Sequence, residues 1–490
     1  EKGGIRMIMF GTGGIRGVMK EGEFDDKTVS VTTKGVAEYM KMNGLKRVLI
    51  AYDTRHNSER FAKLAASVFA GEGMDVWVFG EPVPTPVLSY GVRKLGMDIG
   101  IVITASHNPP EYNGYKVYTS NGVQAVPEVT DELTKLVEKA WNEPITAMEK
   151  YNIVPRSVLE EYIDDVAKVV DPSSSFSLNG LRIVYSPLHG TGAKFVPVLL
   201  RKLGAEVIEV SEQMVQDGNF PTVKTPNPED ERALVLLKEY MKRYDVPLGL
   251  ATDPDADRVG VVFKGQRLTG NQVGVLLSDM LIDEYVRSGG DKGMLVKTIV
   301  STNMVVPMCE KNGVQLFEVP TGFKFIGDLV EKRKDLDFVL GFEESCGYLK
   351  GDLSRDKDSV LACGLIAKVA SKFDLLEHLD ELYREYGYYL EKLLNFELGS
   401  VEKSVEIYDK LSTRKLDGIN EVIDYSKGYN GVIPNDTLRL EFDEGSIFVR
   451  PSGTEPKLKA YLMSKADTKD AAEANIAALE RRFKHLIDNL

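Results

Sequence analysis

Arg47-Val-Leu-Ile-Ala-Tyr-Asp53 and Asp98-Ile-Gly-Ile-Val-Ile-Thr104 are short Val/Ile-rich runs, each ending abruptly in a polar loop, and residues 58–71 between them carry a helical pattern. The arrangement recurs in Leu181-Arg-Ile-Val-Tyr185 with Leu248-Gly-Leu-Ala-Thr-Asp253, separated by a helical pattern at 193–203. It recurs again in Met294-Leu-Val-Lys-Thr298 with Asp337-Phe-Val-Leu-Gly341. Strands alternating with helices predict an α/β fold of three tandem domains with mixed, largely parallel sheets. After about residue 384 the pattern changes to fewer, longer helices, a strand pair at 438–442 and 446–450, and an amphipathic helix over 469–490. That predicts a C-terminal α+β domain. The expected divisions are 1–151, 152–269, 270–384 and 385–490, with joins in a helical stretch near 150, near Thr269 and near Glu385.

A chain of 490 residues suits about three or four domains. With 43% hydrophobic and 28% charged residues it has an ordinary globular composition. Its apolar runs, such as 48–51 and 99–103, fall far short of the ~18 residues a membrane helix needs, and no charged-then-apolar leader opens the sequence, so a cytoplasmic protein without membrane contact is expected. Cys309, Cys346 and Cys363 are too scattered for a disulfide framework or a Cys-based zinc site. The net charge of −13 argues against non-specific binding to nucleic acid or acidic membrane. An anionic substrate is still allowed, because screening over roughly 8 Å lets a local cluster of cations dominate a cleft.

In open α/β sheets ligands bind beyond the carboxyl ends of the strands, where the polar loops lie. Thr104-Ala-Ser-His-Asn-Pro-Pro-Glu-Tyr-Asn-Gly-Tyr-Lys116 follows one such strand, with Pro109 and Pro110 to stiffen it and Gly114 to permit a turn, so Ser106 is a candidate nucleophile. Taken alone, the stretch equally suits an Asn-Pro turn with a capping serine. Asp253-Pro-Asp-Ala-Asp-Arg258 sets three carboxylates at alternate positions, which an extended backbone directs to one side, and three hard oxygens suit Mg²⁺. A calcium EF-hand does not fit, since its sixth position would be Arg258 and its twelfth Lys264.

Phe10-Gly-Thr-Gly-Gly-Ile-Arg-Gly17 fits neither a dinucleotide fingerprint nor a P-loop, yet backbone amides with Arg16 can grip an anion. Arg450-Pro-Ser-Gly-Thr-Glu-Pro-Lys457 offers the donors a phosphate group wants. Gly341-Phe-Glu-Glu-Ser-Cys-Gly-Tyr348 suits sugar hydroxyls, Arg355-Asp-Lys-Asp358 adds cations, and Thr321-Gly-Phe-Lys324 supplies a further polar turn. Phosphate-ester chemistry can require acceleration of up to ~10²¹, against about 10² to 10⁴ from a general acid or base. Most of the help must therefore be electrostatic, from a metal, Arg16, Arg258 and the cations around Arg450.

Residues 10–17, 104–116, 253–258, 341–347 and 450–457, in this order and across the whole chain, resemble the α-D-phosphohexomutase family. The resemblance implies four domains around a central cleft and a phosphate on Ser106 in the resting active form. Phosphorylated Ser106 would donate its phosphoryl group to a hexose monophosphate. The bound glucose 1,6-bisphosphate, both intermediate and activator, would turn over and return its other phosphoryl group. One Mg²⁺ per chain would be held by Asp253, Asp255, Asp257 and a phosphoserine oxygen of Ser106, while Arg16 and Arg258 steady the transferring group. Lys116 is implied as general acid/base. His107, beside the nucleophile, suits either proton transfer or a structural role.

The substrate phosphate and sugar would be bound by Thr321, Gly322, Glu343, Ser345, Lys357, Arg450, Ser452, Gly453, Thr454 and Lys457. Glu343-Glu344-Ser345 and the absence of a nearby His resemble the glucose-selective phosphoglucomutase branch, with Lys357 taking the role of the His found in the dual phosphomannomutase/phosphoglucomutase branch. A phosphoglucosamine mutase ranks third. A metal-dependent sugar phosphatase would share the nucleophile and acidic loop without needing the separate anchor at 450–457, and a non-catalytic sugar-phosphate binder is the other rival. Monomer and homo-oligomer are both compatible with the sequence.

Overall fold

The computed structural model describes residues 10–11, 14–174, 176–413, 418–451 and 457–490. No helix among them is long and apolar enough to cross a membrane. The chain forms two compact units, 1–273 with 322–372 and 274–321 with 373–490.

In the first unit, strands Arg47–Tyr52, Asp75–Val78, Ile99–Ile103 and Asn152–Ile153 pair in parallel. Tyr112–Thr119 and Ile15–Val18 extend this sheet antiparallel. Helix Ser58–Gly71 forms where the sequence places it, because Phe61, Ala62, Ala65, Ala66 and Phe69 recur at helical spacing and bury one face against the sheet residues Val48, Ile50 and Ile101. A second sheet pairs Arg182–Ser186 in parallel with Glu206–Glu209 and Leu248–Thr252, and adds Val259–Phe263 and Gln266–Leu268 antiparallel.

One unit is used three times here: a strand, a short polar loop, and an antiparallel return strand. Ile99–Ile103 returns as Tyr112–Thr119, Leu248–Thr252 as Val259–Phe263, and Asp337–Glu343 as Gly347–Leu349. The loops that carry Ser106, the three Asp residues and Ser345 are therefore pinned at both stems by ladder hydrogen bonds.

Two expectations change. The join near 150 is not helical: after helix Pro127–Ala140 the chain runs irregularly into Asn152–Ile153, which pairs with Trp77 and Val78, so the first sheet reaches past residue 151. The helix expected at 193–203 is split into a 3₁₀ turn, Thr191–Lys194, and an α-helix, Val196–Lys202, with Pro197 in its first turn, where a missing N–H costs nothing.

In the second unit, Gly293–Thr298 pairs in parallel with Gln315–Val319, connected through helix Val305–Asn312. The C-terminal part is α+β. A five-stranded antiparallel sheet runs in the order Tyr388–Glu397, Lys457–Ala466, Gly445–Pro451, Leu438–Phe442, Glu421–Asp424. Helix Lys469–Asp488 covers it through Leu479 and Phe483, which join Leu440, Ile447, Leu458 and Leu462 in one core.

Candidate active site

Ser106 lies just past strand Ile99–Ile103 with a left-handed backbone, φ 51°, and its side chain is buried. That conformation is held from below. The Ser106 amide donates to Thr104 Oγ1 at 2.8 Å, and Thr104 Oγ1 donates to Asp53 Oδ2 at 2.6 Å. Asp53 forms a buried ion pair with Arg55 at 3.3 Å. The Arg55 guanidinium in turn donates to the carbonyls of Pro109 (2.8 Å) and Tyr112 (3.2 Å), and to those of Ser106 and Asn108 in closer contacts. One cation thus ties four carbonyls of the serine loop. Gly114 is required where the return strand passes, since a Cβ there would stand 2.5 Å from the Thr104 carbonyl oxygen.

Asp253, Asp255 and Asp257 are buried, and their carboxylate oxygens lie within 4.8 Å of one another. They converge, but not by the extended alternation expected from the sequence. The segment is a tight turn in which the Ala256 amide donates to the Asp253 carbonyl at 2.9 Å and Ala256 adopts φ 50°. Asp253 Oδ1 accepts the amides of Asp257 (3.1 Å) and Arg258 (3.0 Å), while Asp253 Oδ2 accepts Ser106 Oγ–H at 2.7 Å. Asp255 Oδ1 and Asp257 Oδ1 are buried with no hydrogen-bond partner. Two orphaned anionic oxygens beside a third carboxylate and a serine hydroxyl fit a hard divalent cation such as Mg²⁺. Without one, burial and the neighbouring charges of Asp255 and Asp257 push the Asp253 carboxyl well above its usual range.

Strand Tyr112–Thr119 places Lys116 opposite Val102 and brings Nζ to 3.1 Å from Asp255 Oδ2 and 3.6 Å from Asp257 Oδ2. Lys357 Nζ reaches Asp257 Oδ2 at 3.3 Å and Glu343 Oε1 at 3.8 Å. Burial opposes the charge on Lys357, but Asp257, Asp356 and Glu343 outweigh it and hold the ammonium above its ordinary pKa. Arg258 pairs with Glu229 at 2.6 Å, and Arg16 donates to Asn108 Oδ1 at 3.2 Å. His107 Nδ1 lies 3.3 Å from Ser106 Oγ, and burial, then the cations Arg258 and Arg16, lower its pKa well below 6.5, so the ring is neutral.

Ser106, His107, Lys116, the three Asp residues, Arg16, Arg258, Glu343, Ser345 and Lys357 all belong to the first unit, as does Gly322, which precedes helix Phe323–Lys332. Thr321, Arg450 and Lys457 belong to the second, with Arg450 opposite Lys459 in the antiparallel sheet. Ser452, Gly453 and Thr454 lie outside the described residues. Asp53 and Arg55 escaped the sequence reading, although a charged pair directly after the strand 47–52 was there to be seen.

Models of the phosphoglucomutase/phosphomannomutase family match in four consecutive parts: α/β/α domain I over residues 7–143, domain II over 160–266, domain III over 269–386, and the C-terminal domain over 399–481. The chain belongs to the phosphoglucomutase/phosphomannomutase family. Phosphoglucomutase of Staphylococcus saprophyticus is 33% identical, with 95% of this chain and 92% of that protein aligned. Phosphoglucomutase of Staphylococcus aureus strain MRSA252 is 32% identical over 96% and 92%. A solved phosphoglucomutase/phosphomannomutase family protein from Burkholderia thailandensis shares the fold with a TM-score of 0.78 at 22% identity, covering 99% of this chain and 98% of that one. As a member of the phosphoglucomutase/phosphomannomutase family, this chain is a phosphohexomutase, an isomerase acting on hexose phosphates.

Proposed function

We propose that the chain interconverts α-D-glucose 1-phosphate and glucose 6-phosphate through phosphorylated Ser106 and a bound glucose 1,6-bisphosphate. The observation that carries this reading is the 2.7 Å bond from Ser106 Oγ to Asp253, which puts a nucleophile directly against the acidic turn. A free sugar hydroxyl attacks the phosphorus on Ser106. The bond from phosphorus to Ser106 Oγ breaks, one to the sugar oxygen forms, and the proton of the sugar hydroxyl ends on Ser106 Oγ. The bisphosphate reorients, and the reverse transfer returns its other phosphoryl group to Ser106.

A bound Mg²⁺, held by Asp253, Asp255, Asp257 and an oxygen of phosphorylated Ser106, would supply charge neutralisation for the transferring group. Arg16 and Arg258 steady that group, and Lys116 and His107 are the proton carriers. His107 is suited to accept because its ring is neutral beside Ser106 Oγ. Glu343, Ser345 and Lys357 bind sugar hydroxyls with Gly322 and Thr321, and the 450–457 segment, with Arg450, Ser452, Gly453, Thr454 and Lys457, holds the non-reacting phosphate. The glucose preference is supported by Lys357 Nζ lying 3.8 Å from Glu343 Oε1, where it can take the role of the loop histidine of the dual-specificity branch.

The same reading keeps the four-domain division at 1–151, 152–269, 270–384 and 385–490, with Asn152–Ile153 added to the first domain because it pairs with Trp77 and Val78. It also keeps a cytoplasmic setting, supported by the buried free thiols Cys309, Cys346 and Cys363.

The test is a coupled assay with glucose 1-phosphate, Mg²⁺ and trace glucose 1,6-bisphosphate, run beside mannose 1-phosphate and a Ser106→Ala control. Glucose 6-phosphate formation lost in the control is the expected result. Equal rates on mannose 1-phosphate would replace glucose selectivity with dual specificity, and release of inorganic phosphate would replace the mutase with a phosphatase.

A further inference from the structure

The three backbone carbonyls between the metal-turn carboxylates are each gripped by a different hydroxyl residue. Pro254 O accepts the Thr191 amide at 2.8 Å and Thr191 Oγ1 at 2.9 Å. Asp255 O accepts the Thr85 amide at 2.8 Å, and Thr85 Oγ1 donates to Asp255 Oδ2 at 2.8 Å. Ala256 O accepts the Ser359 amide at 3.3 Å and also Ser359 Oγ. Each of the three opens a helix: Thr85–Leu95, Thr191–Lys194 and Ser359–Lys372. The first amides of a helix have no partner within it, and here they are used on successive carbonyls of one turn. All three side chains are fully buried.

The turn needs this support. Its carboxylates repel one another in a buried site, and nothing within residues 253–257 except the bonds to Asp253 opposes their splaying apart. The approach is close enough to dictate sequence: a Cβ at Gly190 would stand 2.4 Å from Pro254 Cα.

We propose that Thr85, Thr191 and Ser359 are positioning residues for the metal site, a clamp that turns the carbonyls of Pro254, Asp255 and Ala256 outward and so presents the Asp255 and Asp257 carboxylates to one cation. This rests on the metal-site reading above. The clamp draws on three segments far apart in the chain, so the affinity of the site depends on their packing as well as on its ligands.

The test is Mn²⁺ binding alone, followed by the electron paramagnetic resonance signal of the free ion, with circular dichroism to confirm folding. Thr85→Val, Thr191→Val and Ser359→Ala should each weaken Mn²⁺ binding by about 10–100-fold, and Thr85→Ser and Thr191→Ser should restore it to within about threefold. Binding within about twofold of the parent in the folded variants would overturn the clamp. Ser359→Ala decides the matter if the others fail to fold, because it is the smallest truncation and removes a hydroxyl bond to a turn carbonyl, that of Ala256. Asp255→Asn is measured in parallel: if it leaves Mn²⁺ affinity unchanged, the metal-site reading falls and the clamp with it, whereas loss there with intact affinity in the hydroxyl variants overturns the clamp alone.

Discussion

Ser106 Oγ–H donates to Asp253 Oδ2 across 2.7 Å and 147 positions of sequence. When a phosphoryl group replaces that proton the bond cannot exist, and two anionic groups face each other in a buried site. The phosphorylated chain therefore needs a cation more than the unphosphorylated chain does. Removing divalent metal with a chelator should destabilise the phospho-Ser106 form more than the dephospho form, by on the order of 2 kcal/mol, measured as the difference in urea midpoints with and without chelator. Equal shifts would mean that the metal does not touch the phosphate.

Arg55 and Asp53 form a buried ion pair, and Arg55 also donates to the Ser106 carbonyl. Arg55→Met leaves Asp53 buried and uncompensated, at a cost of about 3–5 kcal/mol, and frees four carbonyls of the serine loop. A misplaced Ser106 should lower kcat by about 100-fold. Adding Asp53→Asn should restore part of the stability and none of the kcat, so paired thermal melts and steady-state rates separate the two effects.

Lys357 lies between Asp257 and Glu343, joining the acidic turn to the end of strand Asp337–Glu343. Because the surrounding carboxylates hold its pKa up, it stays protonated through the neutral range and contributes no break to a pH–rate profile there. Lys357→Met should reduce kcat/KM for glucose 1-phosphate by about 100-fold, roughly 3 kcal/mol of lost transition-state binding. A change under about threefold would remove Lys357 from the site.

In the second unit His378 Nε2 lies 2.8 Å from Asp279 Oδ2, and its ring stacks on Phe373 at 4.0 Å. The bond to Asp279 raises the His378 pKa above 6.5 against partial burial. A raised histidine pKa contributes stability fully below the unfolded value and loses it as pH rises through the folded value. His378→Gln should therefore destabilise by roughly 0.5–1 kcal/mol near pH 5.5, after allowing for solvent screening, and the gap should close toward about pH 8.5. Urea titrations at both pH values check the sign.

The strands were legible where local signals agreed. The Val/Ile runs at 47–52, 99–103 and 248–252 and the helix Ser58–Gly71 fall within a residue or so of where composition and period place them. Tyr388–Glu397 and Lys457–Ala466 escaped notice, because Leu, Lys and Glu favour helix locally, and Tyr388–Glu397 becomes a sheet strand through ten cross-strand pairs with a segment far away in sequence. The acidic turn and the serine were readable as chemistry because their side chains are clustered in sequence. Lys116 was named from its own loop, but its pairing with Asp255 was not readable, nor were Arg55 under the serine loop and the three hydroxyl residues, since their partners lie tens to hundreds of positions away and Thr or Ser at the start of a helix is ordinary capping material.

Ser106 and Ala256 share one backbone peculiarity, φ values of 51° and 50° in non-glycine residues. A side chain held there costs about 1–3 kcal/mol, which the surrounding hydrogen bonds must offset. Glycine would relax the backbone at position 106 and remove, in the same step, the hydroxyl that donates to Asp253. If Ser106 carries the proposed transfer, foldability and reactivity pull that position in opposite directions, and the strained backbone is the condition for keeping an oxygen there.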